Sequence, residues 1–307
     1  MNSVRIFSLP KDGLTYTESV FKRCKDLIAF DIWSGLELWK LDGWINNFKS
    51  PEERYFAACV LDVLVYRTDS QAVSLMQQLI QRTIPDIAMD SGLPKCLAEF
   101  EDRSCQSASE SGFRIVPVLK PNDPPTKSGP VLTRMLKRHL DVSQKWIVFP
   151  QNLQVKPPQS VEAILFVDDF LGTGHQFEEF IKEWSLEQLI TDSCCVYAPL
   201  VGHESGVKLL GTKFPNLKVC PVEVLGDEHA IFNEAAGIFP DGENTPEIAR
   251  EFYYELLRNR GIQIHGPNRR GYGHLELTVA FENAVPDNSL PILWWNKSQE
   301  WKRLFNR

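Results

Sequence analysis

One stretch constrains the fold of this chain more than any other: Ala163-Ile164-Leu165-Phe166-Val167-Asp168-Asp169-Phe170-Leu171-Gly172-Thr173-Gly174-His175-Gln176. Its first five residues are apolar and read as a buried strand. Two adjacent carboxylates end that run, and a short Gly/Thr loop opens a helix over about residues 174–184. In open α/β sheets, ligands bind beyond the carboxyl ends of the strands. Amides in the loop and at the helix start attract a phosphate, and small residues let the backbone approach it closely. Thr173 adds a hydroxyl donor. Asp168 and Asp169 accept hydrogen bonds from sugar hydroxyls or help hold a hydrated Mg²⁺. A diol beside a monophosphate fits this arrangement.

Other acid-rich strand ends fit less well. Dehalogenase-like phosphatases need Asp-x-Asp, which is absent. Phosphoacceptor receiver domains hold their aspartate on a separate strand and lack a Gly-Thr-Gly loop. A mononucleotide P-loop needs Gly-Lys-Ser/Thr, also missing. A purely structural turn would desolvate two acids with nothing to offset the cost.

The surrounding chain supplies a sheet for this strand. Strand patterns fall at 113–119, 146–149, 193–198 and 218–224, with a helix at 131–140 between the first two, so strands and helices alternate as in a covered parallel sheet. A helix over 246–260 and strands at 275–281 and 292–295 follow. The first third is helical instead. Tyr55, Phe56, Cys59, Val60, Val63 and Leu64 follow helical spacing behind Pro51, and Val73, Met76, Leu79 and Ile80 do so behind Ser70, a candidate N-cap. Trp33, Trp39 and Trp44 are expected to pack this layer. A polar stretch at 104–111 divides a helical module, 1–110, from an α/β domain, 111–307.

The 307 residues carry a formal charge of −7, which opposes coating of nucleic acid by bulk electrostatics. No apolar run approaches the ~20 residues that span a bilayer, and the start lacks a secretory layout. Seven cysteines, mostly within apolar segments, suit a reducing compartment. Together these features lead to an expectation of a cytoplasmic protein without membrane contact.

The 163–176 stretch resembles the phosphoribosyl pyrophosphate motif of the type I phosphoribosyltransferases: apolar residues, Asp-Asp, two apolar residues, a small residue, Thr, Gly. The resemblance implies that family's parallel sheet over residues 111–307. It implies Asp168 and Asp169 as ribose contacts and Mg²⁺ partners, and Gly172, Thr173, Gly174, His175 and Gln176 as the 5-phosphate loop. His175 and Gln176 stand where many members carry a small residue and then Thr. The loop after the first core strand, Lys120-Pro121-Asn122-Asp123-Pro124-Pro125-Thr126-Lys127-Ser128-Gly129, corresponds to the pyrophosphate loop. There Lys120 and Lys127 would bring charge, Ser128 a helix cap and Gly129 an amide; a plain loop is an equal alternative. The family's mobile lid corresponds to 150–161, short here and with Lys156 its only basic residue.

More narrowly, the motif resembles phosphoribosyltransferase-like effectors of bacterial conflict systems. So do the N-terminal helices, Ser128-Gly129-Pro130, and the ending Leu290-Pro291-Ile292-Leu293-Trp294-Trp295-Asn296. Some of these effectors accompany a retron reverse transcriptase and a winged-helix protein. The resemblance therefore implies phage defence, a reverse transcriptase/noncoding RNA–DNA partner complex, and a homo-oligomeric or hetero-complexed state. Three activities stay open: phosphoribosyl transfer or cleavage, sensing of phosphoribosyl pyrophosphate or a nucleotide without turnover, and scaffolding. The basic, glycine-rich run 265–274 reads either as a base or phosphate contact through Tyr272 or as a solvated connection.

Overall fold

The computed structural model describes residues 6–86, 113–124, 127–155, 161–239, 243–297 and 300–307. The expected junction at 104–111, and with it the 110/111 boundary, lies outside them. By contacts the chain forms two compact units: Met1–Asp69 with Gly226–Arg307, and Ser70–Leu225. In chain order the helices are α1 (Gly13–Ala29), α2 (Leu38–Ile45), α3 (Pro51–Asp62), α4 (Asp69–Gln78), α5 (Ser128–Leu140), α6 (Pro150–Val155), α7 (His175–Glu183), α8 (Glu187–Asp192), α9 (Glu204–Lys213) and α10 (Pro246–Asn259). The strands are β1 (Val65–Arg67), β2 (Phe113–Pro117), β3 (Ala163–Leu171), β4 (Cys194–His203), β5 (Leu217–Val219), β6 (Glu223–Leu225) and β7 (Val279–Phe281). Among the described residues no helix is long and apolar enough to cross a membrane.

In the first unit, helices start where their caps dictate. Ser50 accepts from the Glu53 amide ahead of Pro51, and Thr245 accepts from the Ile248 amide ahead of Pro246. The core joins Trp44, Phe56 and Cys59 from the N-terminal helices to Tyr253, Leu290, Ile292 and Leu293 from the C-terminal segment. The Trp44 indole donates to the Ile292 carbonyl at 2.7 Å, and β1 pairs with β7 in parallel. Of the three expected packing tryptophans, Trp44 is buried and Trp33 sits edge-on to Tyr66, but Trp39 lies in solvent at 67% exposure. The strand expected at 275–281 shortens to β7 because His274 and Glu276 adopt left-handed backbone, φ 58 and 55. The strand expected at 292–295 is a 3₁₀ turn, Pro291–Leu293, whose proline brings no ladder donor. Ser70 falls inside α4 rather than capping it, since the helix begins at Asp69.

The second unit holds the parallel sheet. Its order is β2-β3-β4-β5, and β6 also pairs with β4. Central β3 is buried from Ala163 through Asp168, as its apolar run requires. One strand expected over 218–224 is instead two. The Cys220 and Val222 amides donate to the carbonyls of Tyr197 and Pro199. That edge of β4 lacks a donor at Pro199, whereas the Pro221 nitrogen, between two amides that face β4, is on the opposite edge, so regular pairing loses a bond between β5 and β6 at Pro199. The expected strand at 146–149 reduces to one parallel bridge, Ile147 with Ile115, squeezed between the 3₁₀ turn Gln144–Trp146 and α6.

Candidate functional site

The strand order turns back between β2 and β3. Ile147 bridges Ile115 on one edge of β2, where the Val148 amide donates to the Ile115 carbonyl at 2.9 Å. β3 pairs the opposite edge, and β4 and β5 follow beyond it. The carboxyl ends of β2 and β3 therefore flank a topological switch point, where open α/β sheets hold ligands. Beyond β2 stands the start of α5 with Ser128 and Gly129. On β3 stand Asp168 and Asp169, and past its end comes the loop 172–174 into α7.

That loop is built by close backbone approach. Gly174 has φ +91, and a side chain there would press on Leu209 and Leu210 of α9. A Cβ on Gly206 of α9 would lie 2.2 Å from the Gly172 carbonyl oxygen, so only glycine lets α9 back the loop. The Glu178 amide reaches back to Gly174 O at 3.0 Å, and the amides of 175–177 precede any intrahelical partner. The Thr173 hydroxyl meets His175 Nδ1 at 3.2 Å; Thr173 is half-buried and His175 and Gln176 are exposed. Glu178, an acid in this first turn, is turned to Lys182 and Lys213, whose ammonium groups push its carboxyl down to about 2. Glu178 is thereby held ionised, and the two ammonium groups offset its negative charge at the helix start.

The two aspartates have different surroundings. Asp168 is 1% exposed. Its Oδ1 accepts from the Asp169 amide at 3.0 Å and the Ser128 hydroxyl at 3.3 Å, and its Oδ2 accepts from the Tyr197 hydroxyl at 3.3 Å. Burial, then the neighbouring Asp169 charge, hold the Asp168 carboxyl well above the usual range, and burial beside Asp168 raises the Tyr197 phenol likewise. Asp169 is half-buried.

The loop after β2 differs from its expected form. Lys127 occupies the cap position of α5 without a side-chain cap, while Ser128 has turned its hydroxyl to Asp168, so Ser128 is not the helix cap. Gly129 lets α5 settle on the end of β2, where a Cβ would lie 2.9 Å from the Val118 carbonyl oxygen. Lys120 pairs with Glu179 at 2.9 Å, and Lys127 lies 3.8 Å from Asp123. Pro125, Thr126 and Lys156 lie outside the described residues, and α6 occupies the first half of the lid interval. Among the described residues no group of three or more His, Cys, Asp and Glu side chains could hold a metal ion.

Tyr197 was not among the residues singled out from the sequence. Its signal was a lone phenol within the apolar buried run Cys195–Val201, which must find a hydrogen-bond partner. His203, at the end of β4, accepts through Nδ1 from the Ser205 amide at 3.2 Å and so caps α9. The segment 265–274 belongs to the other unit, where the Tyr253 hydroxyl donates to the Arg269 carbonyl and Arg270 pairs with buried Glu276.

A parallel sheet with a β2/β3 switch point, an acid pair and a glycine loop opening a helix defines a type I phosphoribosyltransferase-like domain. The chain belongs to the PRTase-CE family, whose model matches residues 41–307. Among curated proteins none matches it.

Proposed function

We propose that the 113–225 sheet binds the ribose 5-phosphate end of phosphoribosyl pyrophosphate and transfers the phosphoribosyl group to an acceptor or to water. The supporting observation is the switch point itself, which has half-buried Asp169 and the α7 start on the same strand–loop–helix. Asp169 accepts from ribose hydroxyls, and the 172–176 amides with Thr173 take the 5-phosphate. C1 passes through an oxocarbenium-like state as its bond to pyrophosphate breaks and the bond to the nucleophile forms. Positioning and charge stabilisation supply the acceleration, and Asp169 favours positive charge at the sugar. Mg²⁺ enters as part of the pyrophosphate substrate, since Asp168 already accepts three hydrogen bonds.

Calorimetric titration with Mg²⁺–phosphoribosyl pyrophosphate and with ribose 5-phosphate tests this reading. Asp169→Asn should weaken both about 10–100-fold, the scale of hydrogen bonds to a charged group. Unchanged affinity in that variant refutes the assignment.

A second reading, sensing without turnover, draws on Lys120 and Lys127, which pair with Glu179 and Asp123. Pyrophosphate release with and without nucleobase acceptors separates the two readings. The phage-defence setting, with a reverse transcriptase, its RNA–DNA and a winged-helix protein as partners, rests on the sequence resemblance. Co-purification from the native host tests it.

A further inference from the structure

We propose that Tyr197 and Ser128 lock Asp168 into the protein as a strut, and that this strut, through the Asp169 amide, aims the Asp169 carboxylate at the ligand. Asp168, Ser128 and Tyr197 are then positioning residues. Only Asp169 of the acid pair meets the sugar. The ligand half of this inference rests on the proposed function; the strut itself does not.

The sheet register identifies the point that needs support. The β2/β3 register ends at Pro117 with Val167, and the Val118 amide still donates to the Val167 carbonyl. Asp169, next along that edge of β3, therefore lies past the paired stretch. The β3/β4 register skips it as well, between Asp168–Pro199 and Phe170–Val201. The Asp169 amide turns instead to Asp168 Oδ1 at 3.0 Å. A bond from an amide to the preceding side chain fixes the backbone between the two residues, and with it the direction in which Asp169 leaves the strand. That bond is only as firm as the carboxyl group that accepts it. Asp168 is held from two further sides, by Ser128 at the start of α5 and by Tyr197 on β4. Each hydroxyl contact is 3.3 Å, longer than the ~2.8 Å of a strong O–H···O bond, so neither suffices alone. Tyr197 is itself immobilised. Its ring stacks on Phe177 of α7, with centroids 3.9 Å apart and planes 16° apart. The strut thus ties together the strand, the helix beyond β2 and the helix that carries the phosphate loop.

Two measurements on the full chain test this. In the ligand-free protein, hydrogen exchange at the Asp169 amide should quicken about 5–30-fold in Tyr197→Phe and in Ser128→Ala, with the Leu165 and Phe166 amides unchanged. Unaltered Asp169 exchange in both variants overturns the strut. In ribose 5-phosphate titrations, Tyr197→Phe should weaken binding about 10-fold, yet add no further loss in an Asp169→Asn background. Additive losses mean a general structural effect and overturn the aiming role. Absence of ribose 5-phosphate binding in the native protein removes the ligand reading and the aiming role with it, while the exchange experiment still decides the strut. Should Tyr197→Phe fail to fold, Ser128→Ala carries the same cycle.

Discussion

Replacing Asp168 by asparagine separates the cost of burying this carboxyl from the value of its hydrogen bonds. The folded protein holds the Asp168 carboxyl well above its ordinary value of 3.8, through burial and the adjacent Asp169 charge. Above about pH 4 the unfolded chain has released this proton while the folded chain keeps it. The folded state then binds more protons than the unfolded state, and stability falls as pH rises, by up to ~1.4 kcal/mol per pH unit for one proton. The fall continues until the folded protein releases the proton. Asparagine removes that slope. It retains one oxygen to accept from Ser128 and the Asp169 amide, and the Tyr197 hydroxyl can rotate to accept from the new NH₂, so the direct loss is about 1 kcal/mol. At pH 4 the variant should be the less stable protein by about that amount. One to two pH units higher it should draw level and then overtake. At ~2.1 cal/mol/K of unfolding entropy per residue, ~1 kcal/mol moves Tm of a 307-residue chain by roughly 1.5 °C, so the crossover is readable in thermal melts between pH 4 and 8, run with EDTA. Parallel pH curves for the two proteins would refute the argument. They would mean that Asp168 is ionised in the folded protein as readily as in the unfolded chain.

Three further perturbations address other parts of the site. Gly206→Ala places a methyl 2.2 Å from the Gly172 oxygen, so it should displace the loop and cut ribose 5-phosphate affinity at least 10-fold; calorimetry with near-native affinity would show that the loop yields cheaply. Glu178→Gln removes the pairs to Lys182 and Lys213, and with both lysines largely in solvent the loss should be about 1 kcal/mol in urea unfolding. Because these lysines lower the Glu178 carboxyl from 4.5 to about 2, that deficit should be complete above about pH 4.5 and close as pH falls toward 2. Lys120→Ala breaks the exposed pair with Glu179, so Tm should shift by no more than about 2 °C. If transfer is the activity, the variant should lose affinity for phosphoribosyl pyrophosphate but not for ribose 5-phosphate; equal effects on both ligands favour the sensing reading.

The strand–loop–helix was legible because every cue for it is local. An apolar run, glycines where backbones meet and a helical period all lie within residues 163–184, and the structure returns β3 and α7 there. Proline cues were as informative at Pro51 and Pro246, where the fixed φ starts a helix. Pro199 prompted no such reading, although its missing donor splits the strand beside it, because only the partner strand reveals which edge is affected. Partnerships across long sequence separations were not legible. The N-terminal helices share their core with residues near 290, and α5 sends Ser128 to an aspartate 40 residues away. No window of sequence contains both halves of such a contact.

The acid pair shows how this limit bears on function. Two adjacent aspartates look interchangeable in a sequence, and a resemblance assigns both to one sugar. What separates them is a phenol 29 residues downstream and a hydroxyl 40 residues upstream. Those two hydroxyls hold one carboxyl group inside the protein, while its neighbour stays half-buried near the end of β3. A buried carboxyl costs desolvation wherever it sits, and three donors recover only part of that cost. The proposed strut accounts for such a carboxyl at a switch point by what it does for the residue beside it.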